Sequence, residues 1–177
     1  MNKSKLFKVS IVLILVSIFL VSALPGSNKE TITLTGASFQ PTCDCKFRNS
    51  GTNIQVDYAP ATCGFLYPLQ LPDGVILEKI TFFWKDSSVE HNASLSLDSS
   101  NLDGTGTNLV RISTDGYEDE PTSSFSDVSI PIDNIQYGYF ISIQMPSTEG
   151  VEIYGVKIEY SVPILLFLPF IRNSGIF

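Results

Sequence analysis

Tyr137-Gly138-Tyr139-Phe140-Ile141-Ser142-Ile143-Gln144-Met145 decides the fold class. Tyr137, Tyr139, Ile141, Ile143 and Met145 share one parity, and Gly138, Phe140, Ser142 and Gln144 share the other. A period of two over nine residues is the signature of a half-buried β-strand, because successive side chains point to opposite faces. Upstream, Val128, Ile130 and Ile132 alternate with Ser129 and Pro131, and the proline suggests an edge or a bulge. Downstream, Val151 and Ile153 precede a kink at Gly155, after which Val156, Ile158 and Tyr160 share a face against Lys157 and Glu159. Moving outward, Ile80, Phe82 and Trp84 alternate with Thr81, Phe83 and Lys85. Leu95 and Leu97 alternate with Ser94, Ser96 and Asp98. Leu109 to Ile112, Ile54 to Tyr58 and Thr31 to Thr35 are further short strands. Pro72-Asp73-Gly74, Asp103-Gly104 and Asp115-Gly116 supply turns between them.

Eight or nine short strands cannot all bury an apolar face in one open sheet. Two packed antiparallel sheets solve this, so the expectation is an all-β, two-sheet, jelly-roll-like sandwich. An immunoglobulin-like order is the rival. It needs a Cys–Trp–Cys spacing, and Trp84 follows all three cysteines.

Residues 1–23 have the three parts of a signal peptide. Lys3, Lys5 and Lys8 precede an apolar run from Val9 to Val21, and Ser22-Ala23 supplies small residues for cleavage. Residues 24–35 are expected to form a linker or edge strand, 36–162 the sandwich, and 163–177 an apolar tail. That tail contains Pro163 and Pro169 and is too short to span a bilayer. With the leader removed, no stable membrane span is expected, and the protein is placed outside the cell or at its surface. The chain has 177 residues, with 44% hydrophobic and 16% charged, which excludes disorder. Its formal charge is −7. Without the three leader lysines, eight cations face 18 acids, a balance of −10 that argues against a nucleic-acid partner.

The stretch from Gly64 to Lys85, with LQLPDGVILEKITFFW at its centre, and the closing GVEIYGVKIEYSVP resemble uncharacterised secreted bacterial proteins. These carry one jelly-roll-like sandwich after a signal peptide. The resemblance covers roughly residues 36 to 162. It rests on packing and turn motifs, so it implies fold and a bacterial source and assigns no catalytic residue.

Export favours oxidised cysteines. A bridge between Cys43 and Cys45 would close a very tight ring, so one of the two is expected to pair with Cys63. That closes a loop of about twenty residues, worth roughly 3 kcal/mol in the chain-entropy picture. Cys45 is the expected partner because Cys43 adjoins the Pro41-Thr42 turn, which leaves Cys43 as a free thiol. His91, the single histidine, lies in a polar turn with no nucleophile elbow anywhere in the chain. Asn92-Ala93-Ser94 is a glycosylation sequon that matters only in a eukaryotic source. Glu78, Glu152 and Glu159 alternate with apolar residues and should face solvent, so no carboxylate pair is assigned to hydrolysis.

The loops hold the remaining candidates. Asp103, Asp115 and Asp119 offer oxygen ligands for Ca²⁺, though Ile112 stands where an EF-hand needs glutamate. Tyr117, between Asp115 and Glu118, is a candidate sugar platform. Trp84, Tyr137 and Tyr139 are other aromatics, with Trp84 assigned to the core. The functional expectation is a secreted, non-catalytic binding or surface-interaction module for a glycan or an envelope protein. No cofactor beyond Ca²⁺ is expected. The alternatives are a self-associating structural component of the cell envelope and a hydrolase whose carboxylate pair is not identified.

Overall fold

A computed structural model describes residues 27–58, 62–114, 118–147 and 150–163. The leader 1–23 and the tail beyond Pro163 lie outside the described residues. Lys29–Val162 forms one compact unit, which holds the core.

Eleven strands build the fold: β1 Ser27–Thr35, β2 Gln40–Pro41, β3 Lys46–Asn49, β4 Ile54–Tyr58, β5 Thr62–Leu69, β6 Ile76–Asp86, β7 Ser94–Asn101, β8 Gly106–Ser113, β9 Glu118–Pro131, β10 Tyr137–Pro146 and β11 Val151–Pro163. Sheet A has the order β3-β4-β11-β6-β9, with β1 also pairing β11. Sheet B has the order β2-β5-β10-β7-β8. Neighbouring strands along both orders pair antiparallel, so the described residues form an all-β two-sheet sandwich.

The expected eight or nine strands become eleven for three reasons. The β2 strand is two residues long. The β3 strand, Lys-Phe-Arg-Asn, has a single apolar residue. The β5 strand buries Cys63, Gly64 and Phe65 in succession, so no alternation betrays it. Conversely, the two segments expected on either side of Gly155 are one strand with a register shift between Ile153 and Gly155. The β9 strand is far longer than its expected stub. Before Val128 its inward positions are Thr122, Ser124 and Ser126, which carry no apolar signal. It ends the sheet A path, as Pro131 suggested.

Phe65, Phe82, Ile80, Ile141, Ile143 and Met145 are fully buried between the sheets. Each such side chain contributes roughly 1.5–3 kcal/mol by leaving water. Trp84 is part of this core, and its Nε1–H donates to Ser124 Oγ at 3.1 Å. A Cβ on Gly155 would stand 2.1 Å from the Leu34 carbonyl oxygen, so only glycine lets β1 lie this close to the bulge.

Candidate functional site

Three neighbouring strands place Gly155, Phe83 and Ser123 in one row across sheet A, since Gly155 is in register with Phe83 and Phe83 with Ser123. Phe83 has the parity opposite to Ile80, Phe82 and Trp84, so its ring stands on the outer face, 37% exposed. Gly155 carries no side chain, so β1 packs directly against it with the Leu34 carbonyl where a Cβ would stand, and a groove runs between β1 and that ring. The result is a groove of about 400 Å³, walled by Thr33 and Thr35 of β1, Tyr154 of β11, and Thr122 and Ser123 of β9.

The groove combines an aromatic pair with a ring of hydroxyls. Tyr154 donates its phenolic hydrogen to Glu152 Oε2 at 3.2 Å, and the same oxygen accepts from Asn53 Nδ2 at 2.7 Å. Partial burial holds the Tyr154 phenol above the usual tyrosine range, and the nearby Glu152 carboxylate adds to this. Phe125, two positions along β9 from Ser123, is 58% exposed on the same face, with the Lys79 ammonium 4.0 Å above its ring. An apolar surface edged by hydroxyl groups suits a ligand with one apolar face and a polar rim.

Sequence reasoning missed this site. Its residues come from four strands far apart in the chain, so no spacing joins them. The available signal was an aromatic residue on the solvent parity of β6.

The residues singled out from sequence are scattered. Asp115 and Tyr117 lie outside the described residues. Glu118 and Asp119 are exposed at the start of β9, where Glu118 is in register with Asp86. Asp103 sits in the β7–β8 turn at the opposite end of the sandwich. The length of β8 separates it from Asp119, roughly 25 Å at the rise of an extended strand. Asp103 and Asp119 therefore do not share an ion. The Asp103 carboxylate instead accepts the Thr105 hydroxyl and, at 2.8 Å, the Thr105 N–H, which hold its pKa below the usual range. His91 is exposed, and its N–H donates to Ser88 Oγ at 3.2 Å. Tyr139 is buried, with its hydroxyl accepting from the Asp133 N–H at 3.1 Å. Tyr137 lines a smaller groove of about 290 Å³ with Leu109 and Ile130.

The disulfide joins Cys45 and Cys63, and Cys43 is free and exposed. Among the described residues, the group of three potential metal ligands that converges is Cys43, Cys45 and Cys63. Its sulfur atoms are poor ligands for a hard cation such as Ca²⁺. No described helix is long and apolar enough to cross a membrane.

No protein-family model matches the chain, and a search of curated proteins finds no relative. Solved structures do resemble it. The C-terminal CBM6 of LamC, a marine laminarinase from Zobellia galactanivorans, superposes with a TM-score of 0.50 at 15% identity, over 73% of this chain and 98% of that one. The CBM22-1–GH10 modules of Clostridium thermocellum xylanase 10B match at a TM-score of 0.49 and 17% identity, over 72% of this chain and 28% of that one. A family 35 carbohydrate-binding module from Clostridium thermocellum gives 0.47 and 7%, over 73% and 97%. The fold comparison rests on the first, and the likeness is one of architecture.

Proposed function

We propose that this chain is an exported, non-catalytic glycan-binding module whose sugar ligand lies along the outer-face groove of sheet A. The observation that carries the reading is Phe83 and Tyr154 on the outer-face groove beside Gly155, edged by the side chains of Thr33, Thr35 and Ser123. A pyranose ring has a face of C–H groups and a rim of hydroxyls. The first packs on aromatic carbon and the second exchanges hydrogen bonds with the groove walls. The sandwich it shares with the LamC module supports the reading, because that fold carries carbohydrate binding there. Tyr117 keeps its place as a second platform, beside Asp115 and Glu118. The same loop, with Asp119, is the place for Ca²⁺; Asp103 belongs to a different end of the molecule.

The test is isothermal titration of the mature chain with cello-, xylo- and laminari-oligosaccharides, with and without Ca²⁺. About 37% of the Phe83 surface is exposed. For an aromatic side chain of roughly 200 Å² that is about 70 Å² still available to a ligand, worth up to ~1.8 kcal/mol. Phe83→Ala should therefore weaken binding about 4- to 20-fold, the lower figure applying if the sugar covers half of that area. Binding that survives Phe83→Ala and Tyr154→Ala unchanged but is lost in Tyr117→Ala would move the site to the loop. Oligosaccharide hydrolysis by the purified chain would refute the non-catalytic reading.

A further inference from the structure

Asp44 separates two cysteines that the fold presents to a third. The Cys45 N–H donates to the Cys43 carbonyl at 3.0 Å, a three-residue turn that folds Cys43 and Cys45 back toward one another. The pairing of β2 with β5, extended by the Thr42 N–H to the Gly64 carbonyl at 2.8 Å, holds Cys43 against β5. As a result the Cys43 sulfur lies 3.6 Å from Cys63 Sγ and 3.7 Å from Cys45 Sγ. It also accepts the Gly64 N–H at 3.3 Å and lies 3.9 Å from the Thr62 carbonyl oxygen, so it rests on the backbone to either side of Cys63.

We propose that these residues form an internal thiol–disulfide exchange site in which the bridge moves between Cys45–Cys63 and Cys43–Cys63. The Cys43 thiolate attacks Cys63 Sγ, and a Cys43–Cys63 bond forms. The Cys45–Cys63 bond breaks, its electron pair leaves on Cys45 Sγ, and Cys45 takes up a proton from water in place of the one Cys43 released. Electrons are conserved and no oxidant is consumed. The thiol stands nearly equidistant from the two bridged sulfurs, so the exchange requires the exposed Cys43 side chain to turn until its sulfur lies on the extension of the sulfur–sulfur axis beyond Cys63. Attack on Cys45 would instead close a ring across Asp44 alone.

The two bridges are closely matched in chain entropy, since they span 18 and 20 residues. They differ in what they tie. Cys45 immediately precedes β3, so its bridge fastens the edge of sheet A to β5 of sheet B. Cys43 follows β2, so its bridge fastens a segment already hydrogen-bonded within sheet B. Exchange therefore releases β3 and transfers the free thiol to Cys45.

Cleavage before Asp44, Asp57 and Asp73 places the three cysteines on three different peptides, so disulfide mapping reads the isomers directly. The oxidised full chain is incubated in mildly alkaline buffer without reductant, quenched in acid, alkylated, cleaved and analysed by mass spectrometry. The expected result is both bridges, with alkylated Cys45 at no less than about a tenth of alkylated Cys43, and slower interconversion in mildly acidic buffer. Cys45→Ser should form the Cys43–Cys63 bridge in air, and Cys43→Ser should abolish Cys45 alkylation. A single Cys45–Cys63 bridge in every buffer would overturn the proposal, as would two free thiols in folded Cys45→Ser. If either variant fails to fold, the mapping of the unmodified chain decides alone.

Discussion

Asp86 closes β6 with a carboxylate that no solvent reaches. Its Oδ2 accepts the Thr114 hydroxyl at 2.6 Å, and its Oδ1 accepts the Ser88 N–H at 3.0 Å. The Thr114 hydroxyl oxygen in turn accepts the Ala93 N–H at 3.0 Å, while the Thr114 N–H donates to the Ala93 carbonyl at 2.9 Å. One carboxylate thus pins the turn after β6, the start of β7 and the end of β8. Asp86→Ala leaves the Thr114 hydroxyl and the Ser88 N–H without that acceptor. At about 1–3 kcal/mol for each of the two stranded donors, the cost is roughly 2–6 kcal/mol. Asp86→Asn keeps one acceptor oxygen and should cost less. Thr114→Val breaks the same link from its other side and strands the Ala93 N–H as well. Urea denaturation of the four corners of the Asp86→Ala, Thr114→Val cycle measures the coupling directly. Because the two substitutions remove one shared bond, the double variant should fall short of the sum of the singles by at least about 1 kcal/mol. An Asp86→Ala cost below about 1 kcal/mol, or strict additivity, would refute the idea that this carboxylate organises the end of the sandwich.

Three further outcomes are expected. Gly155→Ala places a methyl group against the Leu34 carbonyl and must push β1 away, so stability should fall by about 1–3 kcal/mol and oligosaccharide binding with it; an unchanged melting temperature would contradict the close approach. Glu78 is held below its ordinary pKa by Lys29 and Glu159 by Lys157, while Tyr160 is held above its own by the hydrogen bond to Glu30 and Tyr154 by burial. Melting temperature should therefore be flat near neutrality, fall as pH drops through the carboxylate range near 4, and fall again as pH rises past about 10; a rise at either extreme would reverse the sign. N-terminal sequencing of exported protein should begin at Leu24 or within a few residues, and recovery of Met1 would show an uncleaved leader.

Much of the fold was legible because parity is a physical constraint. In β10 and β6 one face meets the opposite sheet, so Ile141, Ile143, Ile80 and Phe82 recur at every second position. Parity fails where burial comes from other sources. In β5, Gly64 is covered by Thr42 and Gln144 rather than by the opposite sheet, which hides the alternation. In β9 the inward positions before Val128 are hydroxyl residues. The groove was harder still. Phe83 could be picked out as an aromatic residue on the wrong parity, but its partner Tyr154 lies at the bulge, where Gly155 resets the alternation that would have assigned it a face. The loop candidates Asp103 and Asp119 looked interchangeable in composition, and only the length of β8 separates them. Asp86 looked like any acid at a strand end, since nothing in the sequence marks Thr114 as its partner.

The two sheets end in strands poorly suited to accept a neighbour. The β9 strand carries Pro121 and Pro131, which have no N–H to offer, and β2 is two residues long and finishes in Pro41. Of the remaining path ends, β3 has four residues including Lys46 and Arg48, and β8 presents Arg111. A second molecule adding its own strand at any of these margins would forfeit hydrogen bonds or meet a cation. Edges built this way resist pairing with the strands of a second copy, so an assembly of this chain is expected to form through side-chain surfaces rather than by continuing its backbone ladders.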